Sequence, residues 1–79
     1  MTEHEINQTL DCTGLLCPMP IVKTSKFIKG MQVGETLQMI STDPGSKPDI
    51  EAWARQTGHE LLSSVDEGSQ FQFVIKKTH

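Results

Sequence analysis

The sequence predicts an α/β two-layer sandwich: β-α-β-α-β-β order, a four-stranded mixed sheet and two helices on one face. Three observations carry this. Phe71, Phe73 and Ile75 alternate strictly, the period of a half-buried strand. Ile50, Trp53, Ala54 and Thr57 recur at i, i+3, i+4 and i+7, the stripe of a core-facing helix. Strand-like and helix-like segments alternate, so two strand–helix–strand crossovers favour parallel pairing with right-handed connections.

In chain order, residues 6–10 place Ile6, Gln8 and Leu10 on one face of a first strand. Asp11-Cys12-Thr13-Gly14 reads as a turn, with Gly14 free to take positive φ. A helix follows Leu15-Leu16-Cys17-Pro18-Met19-Pro20 and runs to Ile28 or Lys29. Ile21, Thr24, Ser25 and Ile28 share one face of it, with Phe27 at the margin, while Lys23, Lys26 and Lys29 lie opposite. Gly30 suits its end.

A second strand spans 35–41, with Leu37 and Met39 on one face and Thr36, Gln38 and Ile40 on the other. Asp43-Pro44-Gly45 is a turn. Ser46 with Asp49 resembles a capping box at the start of the second helix, and Pro48 falls in its first turn. Gly58 ends that helix. Strands at 60–65 and 69–76, joined by Asp66-Glu67-Gly68, form an antiparallel hairpin. The other face of the sheet is expected to be fairly exposed.

Composition narrows the function. The 79 residues make one domain, 1–79, with a thin core. An enclosed substrate cavity would compete for the few core residues, so chemistry on an exposed side chain suits this size better. Seven basic against ten acidic residues give a net charge of −3, and direct nucleic-acid binding is not expected. No run has the length of a membrane span, and the N-terminal residues lack a signal-peptide pattern. The expected compartment is the cytoplasm, where thiols stay reduced. Cys12 and Cys17 are too few for a disulfide framework, and His4, His59 and His79 show no ligand spacing to them, so no metal is expected.

Cys17 stands at a strand-to-helix junction. A residue before proline is pushed out of the α region, as an N-cap requires, and Pro18 at the first helical position loses no hydrogen bond. Pro20 also falls among the amides without an intrahelical partner, so the pair stiffens the helix start cheaply. Pro20 also restricts Met19, and the first turn could begin one residue later. A thiol at this place meets the positive end of the macrodipole, which is expected to favour the reactive thiolate. Asp11 would oppose that shift if its carboxylate came close. From position alone, a small buried cap residue is an equal reading; the paired prolines favour the nucleophile. Neither histidine nor acid is near in sequence as a base. Thiol–persulfide exchange needs mainly an accessible thiolate and a good leaving group, unlike a thiol protease.

The stretch Leu10-Asp11-Cys12-Thr13-Gly14-Leu15-Leu16-Cys17-Pro18-Met19-Pro20 resembles the L-D-x-x-G-x-x-C-P-x-P motif of the TusA (SirA-like) sulfur-carrier family at every fixed position. The resemblance extends from about Thr9 to Lys77. It implies that Cys17 carries sulfane sulfur as a persulfide, with no bound cofactor, and that Asp11, Gly14, Pro18 and Pro20 shape the turn and helix start. It also implies a donor such as a cysteine desulfurase or rhodanese, and an acceptor protein downstream. The relays it implies serve tRNA thiolation, molybdenum-cofactor synthesis or dissimilatory sulfur oxidation. Thr42-Asp43-Pro44-Gly45-Ser46 looks similar to members from sulfur-oxidising systems, and is also a good turn on physical grounds alone.

Cys12 occupies a variable motif position. As an auxiliary thiol it could resolve a Cys17 persulfide into a disulfide; as an ordinary free cysteine it would pack. Lys23, Lys26 and Lys29 read as a solvated face or as a dock for an acidic partner. Trp53 and Phe73 read as core, and Met19 as either a hydrophobic rim for partners or a gap-filler. Two other function classes stay open at this level. One is a Cys12/Cys17 thiol–disulfide switch, although its Cys-x-x-x-x-Cys spacing lacks the close pair of thioredoxin-like motifs. The other is a non-catalytic regulatory or RNA-binding module.

Overall fold

Strong alternation and the helical stripe set the architecture of the computed structural model, which describes residues 6–79. Its elements are β1 (Gln8–Cys12), α1 (Met19–Lys29), β2 (Thr36–Ser41), α2 (Ser46–Thr57), β3 (Glu60–Asp66) and β4 (Phe71–Lys76). The sheet order is β1-β2-β4-β3. β1 and β2 are parallel, and β4 is antiparallel to both β2 and β3. The β-α-β-α-β-β order and mixed four-stranded sheet are those expected.

The last strand is inserted between β2 and β3, so the α2 crossover skips a position. β4 can occupy that place because it is buried on both faces. Phe73 and Ile75 are sealed on the helix side, and Val74, on the opposite face, is also buried. That opposite face is therefore not uniformly open. Thr36 and Val74 are buried there, while Gln38 donates to its diagonal neighbour Gln72 on β4 through a 3.0 Å side-chain hydrogen bond.

On the helix side the register stacks Leu37 and Leu61 on either side of Ile75, and Leu10, Met39 and Phe73 in the next row. Ile28 of α1 and Ile50, Trp53 and Ala54 of α2 close over these rows. Fully burying a large apolar side chain contributes about 1.5–3 kcal/mol, so Leu37, Met39, Ile50, Phe73 and Ile75 dominate the core. The α2 stripe is confirmed at Ile50, Trp53 and Ala54; Thr57 is half-buried and donates to the Trp53 carbonyl, 2.8 Å.

Several boundaries move. β1 begins at Gln8 rather than residue 6, and extends through Cys12, so the turn starts later than Asp11. β3 extends one residue further and carries an irregularity between Leu61 and Ser63, and β4 starts at Phe71, leaving a wider hairpin loop. In that loop the Glu67 amide donates to the Gln70 carbonyl, 2.8 Å. Gly58 takes a left-handed φ of 85° and donates to the Ala54 carbonyl at 2.9 Å, as a C-terminal stop should. The expected Ser46–Asp49 capping box does not form: Gly45 is the N-cap, without a side-chain cap bond. The Ser46 hydroxyl bonds Ser41 Oγ at 2.7 Å and the Asp43 carbonyl instead, tying the start of α2 to the end of β2.

Candidate functional site

Parallel pairing of β1 and β2 puts their C-terminal ends side by side. The loop into α1 and the loop into α2 must therefore meet above the sheet, the usual place for a site in such folds. Asp11 folds its own turn by accepting from the Thr13 amide, 2.9 Å, which holds its carboxyl below the usual range. Gly14 has φ of 80°, and its amide donates to Thr42 Oγ1 at 2.9 Å. Asp43 is braced in turn: its Oδ1 accepts from the Gly45 amide, 3.2 Å, and its own amide donates to Ser41 Oγ, 3.1 Å.

Cys17 sits at the top of this junction, and its thiol is free and exposed. Two carboxylates grip it. The backbone amide donates to Asp43 Oδ2 at 2.7 Å, and Sγ donates to Asp49 Oδ2. Neither acid was assigned to the thiol from sequence, where Asp43 read as turn and Asp49 as cap. The signal available was indirect: a parallel β1–β2 pair necessarily brings the 42–49 region to Cys17.

The helix starts one residue later than a Cys17 cap would place it, the alternative that the restriction of Met19 by Pro20 left open. Pro18, not Cys17, is the N-cap, Pro20 lies in the first turn, and the Cys17–Pro18 peptide is cis. The reason is a turn inserted before the helix, in which the Met19 amide donates to the Leu16 carbonyl at 2.8 Å. The Pro18 carbonyl then accepts from Ile21 and Val22, at 3.1 and 3.0 Å. Pro20 is fully buried, and its carbonyl accepts from Thr24 Oγ1, 2.8 Å.

This geometry also reverses the expected electrostatics. The thiol of Cys17 is pushed above its ordinary value, first by donating to Asp49, then by desolvation and by the charges of Asp49 and Asp43. A hydrogen bond donated by the neutral form, with carboxylates beside it, disfavours the thiolate. Asp11, which would oppose thiolate formation only if its carboxylate came close, accepts from the Thr13 amide.

Cys12 is separate from this group. It is fully buried in the core beneath the junction, and burial is the main cause that raises its thiol. Lys23, Lys26 and Lys29 are exposed on α1, and Lys26 and Lys29 flank a groove that Trp53 of α2 also lines. Met19 is exposed too, as are Leu16 and Val22, so Met19 fills no gap in the core. Beside Cys17 an open groove of about 370 Å³ runs between the helices, floored by Ile21 and Trp53. Among the described residues no cluster of potential metal ligands occurs; His4 lies outside them.

A two-layer β-α-β-α-β-β domain that presents one exposed cysteine at the ends of two parallel strands, beside an open groove, is built like a carrier of a group on a thiol. Residues 8–77 match the model of the family described as Sulfurtransferase TusA. The chain is 47% identical over 74 residues to Sulfur carrier protein TusA of Allochromatium vinosum, covering 94% of this chain and 97% of that one. It is 44% identical over 71 residues to Putative sulfur carrier protein YrkI of Bacillus subtilis, covering 90% and 95%. A crystal structure of the SirA-like protein from Desulfitobacterium hafniense shares the fold, with a TM-score of 0.77 at 16% identity over 91% of this chain and 99% of that one. The chain belongs to the TusA sulfurtransferase family.

Proposed function

We propose that this protein is a sulfur carrier that accepts sulfane sulfur as a persulfide on Cys17 and passes it to an acceptor protein. The observation that carries the reading is the exposed free thiol of Cys17, fixed by two braced loops at the position where the family motif has its cysteine. The names of the relatives support the carrier role.

In the first step Cys17 sulfur attacks the terminal sulfur of a donor persulfide. A new S–S bond forms, the donor's S–S bond breaks, and the proton from Cys17 ends on the donor's leaving sulfur. No net oxidation or reduction occurs. The second step is the same exchange with the acceptor's cysteine as attacker, returning Cys17 as a thiol. The groove is open, so a partner supplies the remaining walls. A cysteine desulfurase or rhodanese fits as donor, and the docked acceptor decides whether sulfur moves toward tRNA thiolation, cofactor synthesis or sulfur oxidation. Asp11, Gly14, Pro18 and Pro20 serve this by holding the loop and helix start, and no cofactor takes part. A cytoplasmic setting suits two free thiols.

A Cys12/Cys17 switch is disfavoured because Cys12 is sealed in the core. The test is intact mass after incubation with a persulfide donor, where each sulfur adds about 32 Da and a disulfide removes about 2 Da. Wild type gains sulfur, and Cys17→Ser gains none while keeping its fold, because Ser can still donate to Asp49. Sulfur acquired by the Ser variant would remove Cys17 as the carrier.

A further inference from the structure

A nucleophilic thiol is ordinarily activated by a cation or a base that takes its proton, yet the groups around Cys17 do the opposite. Asp49 comes from α2, and Asp43 from the loop before α2. Both are half-buried, and their carboxylates hold the Cys17 thiol and amide from the same side. The other charged groups nearby do not offset them. Lys23, Lys26 and Lys29 are exposed on α1, Lys26 and Lys29 flanking a groove with Pro18 and Trp53, and none of them is among the charges that act on Cys17; the Asp11 carboxylate is turned to Thr13. The charges that act on Cys17 are those of Asp49 and Asp43, and both disfavour ionisation.

We propose that Asp49 is a positioning residue that gates Cys17: it holds the free carrier's thiol protonated and tied to the first turn of α2 until a docked partner displaces the Sγ–H···Oδ2 bond. The proposal rests on Cys17 being the sulfur-bearing group and deepens that reading by adding its regulation. The two carboxylates divide the work. Asp43 fixes the backbone of Cys17, and Asp49 holds its proton. An unloaded carrier must not react with every small electrophile or disulfide it meets. A thiol kept neutral outside its complexes meets that need, because the thiolate is the reactive form.

The gate is tested by the pH profile of Cys17 alkylation with iodoacetamide, a neutral reagent, followed by mass mapping of the labelled residue. Asp49→Asn keeps shape and a hydrogen-bond acceptor but removes the charge. Its profile is expected to move to lower pH, with alkylation at neutral pH several-fold faster than wild type. Asp49→Ala should move the profile in the same direction. Asp43→Asn leaves the direct thiol bond in place and should move it less. A profile for both Asp49 variants that superimposes on wild type, or lies at higher pH, overturns the gate. A merely structural Asp49 would alter stability without shifting this midpoint. Sulfur loading is scored separately by mass: wild type that gains no sulfur removes the carrier reading, whereas the alkylation profile alone decides the gate.

Discussion

Cys17 and Cys12 are five positions apart in sequence, yet the fold gives them opposite fates. β1 delivers Cys12 to the helix side of the sheet, where it packs beside Ser41 and Phe71 in register, and the chain then climbs through Gly14 to lift Cys17 into solvent. A resolving thiol would have to leave the core to reach Cys17, so Cys12→Ala is expected to leave persulfide lifetime unchanged. The same variant should lose about 1 kcal/mol of stability, because it removes a buried atom the size of a methyl group. Both quantities are measurable on one preparation, by mass against time and by denaturant midpoint. A markedly longer lifetime in the variant, with disulfide appearing only in wild type, would give Cys12 a resolving role. At this scale the sequence reveals what is contiguous. Cys17 and its motif could be read directly, whereas Asp43 and Asp49 lie 26 and 32 residues away and become neighbours only through parallel strand pairing.

At the scale of elements, α1 shows how local rules can find a helix and still misplace its first residue. Proline restrictions located the junction, but the choice of N-cap between Cys17 and Pro18 depended on a turn made with Leu16. Pro20 has a second role that spacing does not reveal: it is wholly buried beneath the helix start. Pro20→Ala therefore loses packing as well as the entropic benefit of a restricted unfolded chain, which alone is about 0.4–1 kcal/mol. Adding the ring carbons lost from the core brings the expected destabilisation to about 2 kcal/mol. Sulfur transfer should slow as the support under Cys17 loosens. Denaturant unfolding with an unchanged slope and single-turnover transfer from a persulfide donor check the two halves. A loss confined to the entropic value would mean that the buried ring contributes no net packing.

For the whole molecule, element order and the two layers follow from periodicity, but strand order does not. The hairpin requires β3 and β4 to be neighbours, and it leaves open which of them pairs with β2. Burial of Val74 on the second face favours β4 at the centre, and strict alternation in Phe71, Phe73 and Ile75 says nothing about that face. With β4 central, the chain after it returns beside the C-terminal ends of both helices. Lys77 Nζ donates to the Met31 and Lys29 carbonyls at 2.6 and 3.3 Å, and the Thr78 hydroxyl donates to the Gly58 carbonyl at 2.9 Å. The His79 ring stacks on His59 at 4.6 Å between centroids, and His59 in turn lies 5.5 Å from Trp53. Nδ1 of His59 accepts from the Thr78 amide at 3.2 Å, a bond that only the neutral ring can make at that nitrogen. Burial, followed by the charges of His79 and Lys77, lowers the His59 pKa from its ordinary 6.5. The unfolded chain therefore binds this proton more readily than the folded one, so stability contributed here is present above pH 6.5 and is lost as pH falls through the lowered value. Wild type should thus lose more stability between about pH 7 and pH 5 than His59→Gln, which cannot titrate. Parallel denaturation midpoints at the two pH values measure the difference. Carboxylates common to both proteins cancel in that comparison, so equal losses would mean that the return of the chain onto α2 does not depend on a neutral His59.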